Sequence, residues 1–446
     1  MGEIEFVVKR SGAIVPFKRE RISNAIYRAA VAVGGRDKKI AEDLSNQVVN
    51  LLEENTLPGQ NPTIEDIQDA VEKILIENGH AKVAKAYILY RDERERKRAE
   101  RAVLASHPSQ NIPWSKIWRV LDWAVSHNLH TIDALNRRII EGEFKNIVAE
   151  SESAYELDVE YATELIASRR DNLKVVIISG PSSSGKTTTT FKLRQRLGRM
   201  GLKLVTLNVD NYFYDLELHP KDEFGDYDFE TPQALDLALI NEHLVGLIEG
   251  KEVLIPFYDF KTGHRYNERT PLKLSNDEIL LIDSLHGLFP DMTQAVGDEY
   301  KFKLYIEPLL QMKDKNGNYV QWTDLRLIRR MLRDSAHRAY NSQMTLEHWH
   351  YVRSSEMRNI IPHITQTDFI VNSGMPYELP IYRARLFDQF ITWVDELEGK
   401  ALKVDAYMRA SRVAAVLDSV LPVEDDSCVP PDSVLREFIG GSCYDY

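Results

Sequence analysis

Two glycines, a lysine and a threonine in one short run carry the clearest chemistry in this chain. Residues 180–187 read Gly-Pro-Ser-Ser-Ser-Gly-Lys-Thr, directly after the apolar run Val175-Val176-Ile177-Ile178 and ahead of a helical pattern. Gly180 and Gly185 permit a tight turn that a Cβ would block, so successive backbone N–H groups can wrap a phosphate. Pro181, Ser182, Ser183 and Ser184 complete the wrap. Lys186 carries positive charge to the β- and γ-phosphates, and Thr187, with Thr188 beside it in the first helical turn, offers a hydroxyl to Mg²⁺. A strand before the run and a helix after it point to a nucleoside triphosphate site.

More chemistry falls just past the other apolar runs. Asp210, in Asn208-Val209-Asp210-Asn211, follows the run at 203–209. A carboxylate there can accept a hydroxyl proton as that oxygen attacks the γ-phosphate. An Asp in such a turn can also bond its own backbone, but its place at a strand end favours the role of base. Asp283 closes Ile279-Leu280-Leu281-Ile282 and fits the carboxylate that supports Mg²⁺, directly or through water. Thr323 opens a basic helix whose Arg326, Arg330, Arg333 and Arg338 can share one side. Those guanidinium groups either clamp the transferring phosphoryl group or form a solvated basic face. His286, just past Asp283, is open to two readings as well: contact with Mg²⁺-bound water or substrate, or a satisfied structural histidine.

These residues need a scaffold, and the pattern supplies one. From Leu173 onward β-type runs recur at 175–178, 203–209, 279–282, 302–306 and 368–371, with helical patterns between them. That alternation predicts an α/β fold, a parallel sheet with helices on both faces, whose ligands bind at the carboxyl ends of the strands. Residues 1–98 read differently. Short strands at Phe6-Val7-Val8 and Ile14-Val15 precede helices from Ile22 to Ala30, over 37–54, from Thr63 as N-cap to Asn78, and from Ala81 past Arg91. Residues 99–171 carry helical patterns at 114–123 and 154–169 but no evident chemistry; helical connectors packed on a neighbouring domain account for them. The tryptophan-rich face at 114–123 could also serve a subunit interface between copies of the chain.

Composition narrows the setting. With 446 residues, two or three domains are expected, and a net charge of −12 disfavours nucleic acid and acidic membrane as general partners. Only Cys428 and Cys443 occur, which argues against a disulfide framework. The start of the sequence lacks a basic-then-apolar signal, and no run approaches the ~18 apolar residues of a membrane span. A cytoplasmic protein is the expectation.

Two stretches resemble known families. Val8-Lys9-Arg10-Ser11-Gly12, Val15-Pro16-Phe17, Arg21-Ile22, the alanine-rich helix behind them and Thr63-Ile64 resemble an ATP-cone, the nucleotide-sensing module found ahead of ribonucleotide reductases and in reductase-gene repressors. The resemblance implies a regulatory nucleotide held by Lys9, Arg10, Arg21, Thr63 and Arg91. Residues 173 to about 400 resemble the uridine kinase and phosphoribulokinase family. The matching elements are the phosphate loop, Asp210 with Tyr212-Phe213, Asp228-Phe229-Glu230-Thr231-Pro232, Ile255-Pro256-Phe257-Tyr258-Asp259-Phe260, Arg265, and Arg329-Arg330-Met331-Leu332-Arg333-Asp334 with Arg338.

That resemblance implies Asp210 as base for a nucleoside 5′-hydroxyl and an Arg-rich helix and lid on the phosphates. It also implies an acceptor site drawn from Phe229, Glu230, Tyr258, Phe260, His264, Arg265 and Arg330. On residue type alone, Tyr258 and Phe260 suit a buried core as well as a nucleobase face. The chain departs from the uridine kinase pattern at Gly263, where a His is usual and His264 stands one step later. It departs again at Glu230, usually Asp, and at Tyr340, usually Arg. These changes surround the acceptor, so phosphoryl transfer is better specified than uridine as substrate.

The expectation is therefore a P-loop α/β kinase domain over 172–446, a helical connector over 99–171 and a small, mainly helical ATP-cone over 1–98. The reaction expected is ATP- and Mg²⁺-dependent phosphorylation of a nucleoside. Lys186, Asp210, Arg333 and Arg338 would be catalytic, residues 180–188 would hold ATP, and Thr187 and Asp283 would serve the metal. Two alternatives remain: a sugar phosphate or other small alcohol as acceptor, and a nucleotide-sensing regulatory ATPase.

Overall fold

A computed structural model describes residues 4–8, 14–35, 37–56, 61–89, 111–220, 231–275, 277–337, 342–400 and 403–445. It forms two compact units, the described residues of the first lying between 4 and 89 together with Pro220, and those of the second between 111 and 219 and between 231 and 445.

In the first unit β1 (Phe6–Val8) pairs antiparallel with β2 (Ile14–Pro16), and Val8 also bridges Thr63. Three helices follow, α1 (Glu20–Ala32), α2 (Lys38–Asn55) and α3 (Ile64–Glu77), with a further helical stretch at 81–89. Their starts are fixed locally. The Asp37 carboxylate accepts from Lys39 N at 2.9 Å, and Thr63 and Asp66 form a reciprocal capping box. Ile22 and Ile26 of α1, Leu44, Val48 and Leu52 of α2, and Val71, Ile74 and Leu75 of α3 recur at three- and four-residue intervals and close one core. The region is mainly helical, as its periodicity predicts.

The second unit is built on five parallel strands in the order β4-β7-β3-β8-β9: β3 (Val175–Ser179), β4 (Lys203–Leu207), β7 (Glu278–Asp283), β8 (Lys301–Glu307) and β9 (Phe369–Asn372). All five coincide with the apolar runs read from the sequence. The central strand shows why those runs are continuous. Val176 and Ile178 face one core and Val175 and Ile177 another, so alternate side chains are buried on opposite faces.

One face packs against α6 (Phe144–Ser168) and α7 (Lys186–Arg199), the other against α8 (Leu237–Ile248). Two shorter helices precede them, α4 (Trp114–Ser126) and α5 (Ile132–Ile140). Leu129, Ile132, Leu135, Tyr155, Val159 and Ile166 share a core with Val176 and Ile178, so the stretch with no evident chemistry supports one face of the sheet. Trp114 and Trp118 are exposed. The sequence reading missed the antiparallel hairpin of β5 (Val253–Asp259) and β6 (His264–Leu272), whose mostly polar second strand lacks an apolar run. Among the described residues no helix is long and apolar enough to cross a membrane.

Candidate active site

The loop at 180–185 joins the C-terminal end of β3 to the N-terminus of α7, the place where backbone N–H groups are left without helical partners. Its shape demands glycine at both ends. A Cβ on Gly180 would lie 2.3 Å from the Ile306 carbonyl oxygen. Gly185 has φ +88°, and its Cβ would lie 2.3 Å from Val434 Cγ2. Ser183 also takes a positive φ, 59°, unusual for a residue with a side chain and common where a backbone is held for function. The buried hydroxyls of Ser183 and Ser184 have no hydrogen-bond partner among the described residues. Lys186 folds back so that Nζ donates to the Gly180 carbonyl at 2.9 Å. Thr187 follows in the first turn of α7, half-buried.

Two carboxylates stand beside this loop at the ends of neighbouring strands. Asp283 ends β7 and accepts from the Thr190 hydroxyl at 3.0 Å. Burial pushes its pKa up, against the pull of the Lys186 ammonium and the Thr190 bond. Asp210 lies in a 3₁₀ turn after β4, its backbone N–H bonded to the Asn208 side chain at 3.1 Å. The carboxyl keeps an exposed edge, yet the surrounding protein withholds enough water to raise its pKa; the Asp283 charge adds to the shift and Lys186 opposes it. Burial in turn lowers the Lys186 pKa, with Asp283 and Glu437 pulling it back up. Lys186, Asp210 and Asp283 are therefore close enough to act on one another electrostatically. His286 is buried with neither ring nitrogen partnered among the described residues, and burial together with the Lys186 charge pushes its pKa down to about 4.

The basic helix, α9 (Trp322–His337), does not present all its arginines to a ligand. Arg326, whose spacing suited either a phosphate clamp with Arg330 and Arg333 or a solvated basic face, does neither and is fully buried. It forms a two-pronged pair with Glu356 of α10 (Ser342–Asn359) at 2.5 and 2.8 Å and donates to the Ser182 carbonyl at 3.1 Å. Arg329 is buried in the same way against Glu378, the first residue of α11 (Glu378–Leu397), at 2.6 and 2.8 Å, and also bonds the Ser373 carbonyl at 2.6 Å. Both brace the loop from behind. Arg330 donates to Ser182 Oγ at 2.7 Å and to Asp334 at 3.0 Å, and Arg333 lies 3.8 Å from Glu437. Arg338 lies outside the described residues, as do Phe229 and Glu230.

On the acceptor side Tyr258 is buried and Phe260 exposed, their rings 4.9 Å apart edge to face. Phe213, close after Asp210 in the chain, lies 5.4 Å from Tyr258 and 5.4 Å from His219, so the three rings form an aromatic cluster. Arg265 is tied to Asp236 at 2.9 Å and lies over the Tyr214 ring, while the exposed His264 approaches Asp215 at 3.3 Å. Arg265 and Asp236 also line a cleft of about 910 Å³ along the hairpin and α8 that includes neither Lys186 nor Asp210. In the first unit Arg21 is exposed and Thr63 caps α3, whereas Lys9, Arg10 and Arg91 lie outside the described residues.

Some contributors escaped the sequence reading. The Ser373 hydroxyl donates to the Ser184 carbonyl at 2.5 Å, Tyr155 OH meets Thr189 Oγ1 at 2.8 Å, and Glu437 accepts from Thr188. Only Glu437 lay in a stretch whose wording stood out, Val434–Ser442, and nothing local ties that stretch to a loop some 250 residues earlier.

Residues 175–379 match the model of the phosphoribulokinase/uridine kinase family, and residues 5–96 match that of the ATP cone domain. Over 201 residues the chain is 26% identical to a uridine kinase of Deinococcus deserti, covering 45% of this chain and 87% of that protein. Over 205 residues it is 28% identical to uridine-cytidine kinase 2-B of Danio rerio, covering 44% and 72%. A further 106 residues are 39% identical to a vitamin B12-dependent ribonucleoside-diphosphate reductase of Thermoplasma acidophilum, covering 23% of this chain and 13% of that one.

Proposed function

Because this chain joins a P-loop kinase domain of the phosphoribulokinase/uridine kinase family to an N-terminal ATP-cone domain, we propose that it transfers the γ-phosphoryl group of ATP to the 5′-hydroxyl of a nucleoside. The observation that carries the reading is the meeting of a phosphate-shaped loop and its lysine with two carboxylates at adjoining strand ends.

The residues fit a nucleoside triphosphate: two positions barred to any Cβ, buried hydroxyls of Ser183 and Ser184 without a partner among the described residues, and a glycine-bounded loop that leads into a helix N-terminus. They also fit Mg²⁺, which favours one or two protein oxygens together with phosphate oxygens; Thr187 and Asp283 would hold it. When bound, the ion neutralises charge developing on the β- and γ-phosphate oxygens. Lys186 and the loop amides orient the phosphates. Asp210 takes the acceptor proton, its raised pKa keeping it basic enough to do so. Arg330 and Arg333, held by α9 over the loop, stabilise the transferring group, with Arg338 assigned to the same task on the sequence alone. The wall of Phe213, Tyr258 and Phe260 offers flat apolar faces to a base.

The acceptor class is tested by competition. Unlabelled uridine, cytidine, purine nucleosides and sugar phosphates are set against phosphorylation of a labelled nucleoside; we expect nucleosides to compete. Competition by a sugar phosphate alone would move the assignment to that acceptor, the reading favoured by the altered residues at 230, 263 and 264.

A further inference from the structure

The nucleotide end of α7 already carries an anion, supplied by the chain itself. Glu437 sits in the short helix α12 (Arg436–Ile439) and is buried. Its Oε2 accepts from Thr188 Oγ1 at 2.8 Å and from Thr188 N at 3.3 Å, and its Oε1 lies 3.8 Å from Arg333 Nη1. The Lys186 ammonium also feels its charge. The groups around this carboxylate are thus the ones a triphosphate would use: a first-turn N–H and hydroxyl, the loop lysine and an arginine of α9.

The flanking residues build the same contact. Val434 covers Gly185, Phe438 lies beneath Arg329 at 5.1 Å, Asp432 pairs with Lys192 at 2.9 Å, and Tyr444 stacks on Phe191 at 5.3 Å. Gly185 offers no side chain to cap its own helix, and the cap comes from Glu437 instead.

We propose that Glu437 holds the phosphate-binding end of α7 closed, its carboxylate standing where a nucleotide phosphate would lie, and that a nucleoside triphosphate enters by displacing it. The inference rests on the phosphate-loop reading given above. A carboxylate left among these donors beside a phosphate would repel it at a few ångströms in a poorly solvated site, so the two anions exclude one another. The segment 434–439 then acts as a latch whose release accompanies nucleotide binding.

The test is the affinity of the full chain for AMP-PNP with Mg²⁺ by calorimetry, in wild type, Glu437→Gln and Lys186→Ala, with amide exchange over 429–439 followed in the wild type. Glu437→Gln keeps an acceptor for Thr188 but removes the charge, and we expect it to bind about tenfold more tightly or better. Exchange at 434–439 should quicken when AMP-PNP is added. Equal or weaker binding by Glu437→Gln, with Lys186→Ala impaired, would make Glu437 a helix cap only and overturn the latch while the phosphate loop stands. No binding by any of the three would remove the phosphate-loop reading and the latch with it. Should Glu437→Gln fail to fold, exchange in the wild type decides: unchanged or slower exchange at 434–439 overturns the proposal.

Discussion

Asp210 is the residue on which the proposed chemistry turns. Its carboxyl is held above the ordinary carboxylate range by burial and by Asp283, with Lys186 limiting the shift. A base must be deprotonated to act, so activity should be present above that raised pKa and lost as pH falls through it. We predict that Asp210→Asn retains ATP binding, loses roughly 10²-fold or more in kcat, and flattens the acid limb of the kcat/KM profile. Steady-state kinetics across pH checks this; near-normal turnover in the variant would remove Asp210 from the role. His286 is distinct: its unpartnered, neutral ring beside the loop fits neither the satisfied structural histidine nor any contact found among the described residues.

At the scale of elements, α9 joins the loop to two carboxylates on neighbouring helices. Arg329 and Glu378 are both fully buried and share two short bonds, so removing one charge strands the other. Glu378→Gln should cost about 3–5 kcal/mol in urea unfolding, the usual effect of breaking a buried pair. A loss within about 0.5 kcal/mol would mean that water or neighbours replace the partner, as at an ordinary surface site.

The same helix shows what a sequence can and cannot declare. The runs at 175–178 and 279–282 announced buried parallel strands because both their faces are covered, and Gly180, Lys186, Asp210 and Asp283 followed from their place at strand ends. The arginines of α9 gave only their spacing. Which of them brace the loop depends on Glu356 and Glu378, 30 residues after Arg326 and 49 after Arg329, which no local pattern connects to them. The hairpin β5–β6 escaped for a related reason: β6 is mostly exposed and polar, so it lacks the alternation that marks a strand half-buried in a core.

For the molecule as a whole, an ATP-cone domain with its own core accompanies a domain of the phosphoribulokinase/uridine kinase type in one chain. If the cone binds a nucleotide better in one conformation of the protein than in another, it can bias turnover only by that difference in affinity. Turnover with and without dATP, in wild type and in Lys9→Ala, measures the bias. We expect dATP to change the wild-type rate and to change it less in the variant; identical responses in the two would leave the cone without a regulatory part through Lys9.

The most direct test of the account is transfer of labelled γ-phosphate from ATP to a panel of ribo- and deoxyribonucleosides and sugar phosphates, with a control lacking any acceptor. The account predicts a labelled nucleoside monophosphate, formed by the wild type and not by Lys186→Ala. Release of free phosphate alone, at a rate indifferent to every acceptor, would contradict it and point to a regulatory ATPase.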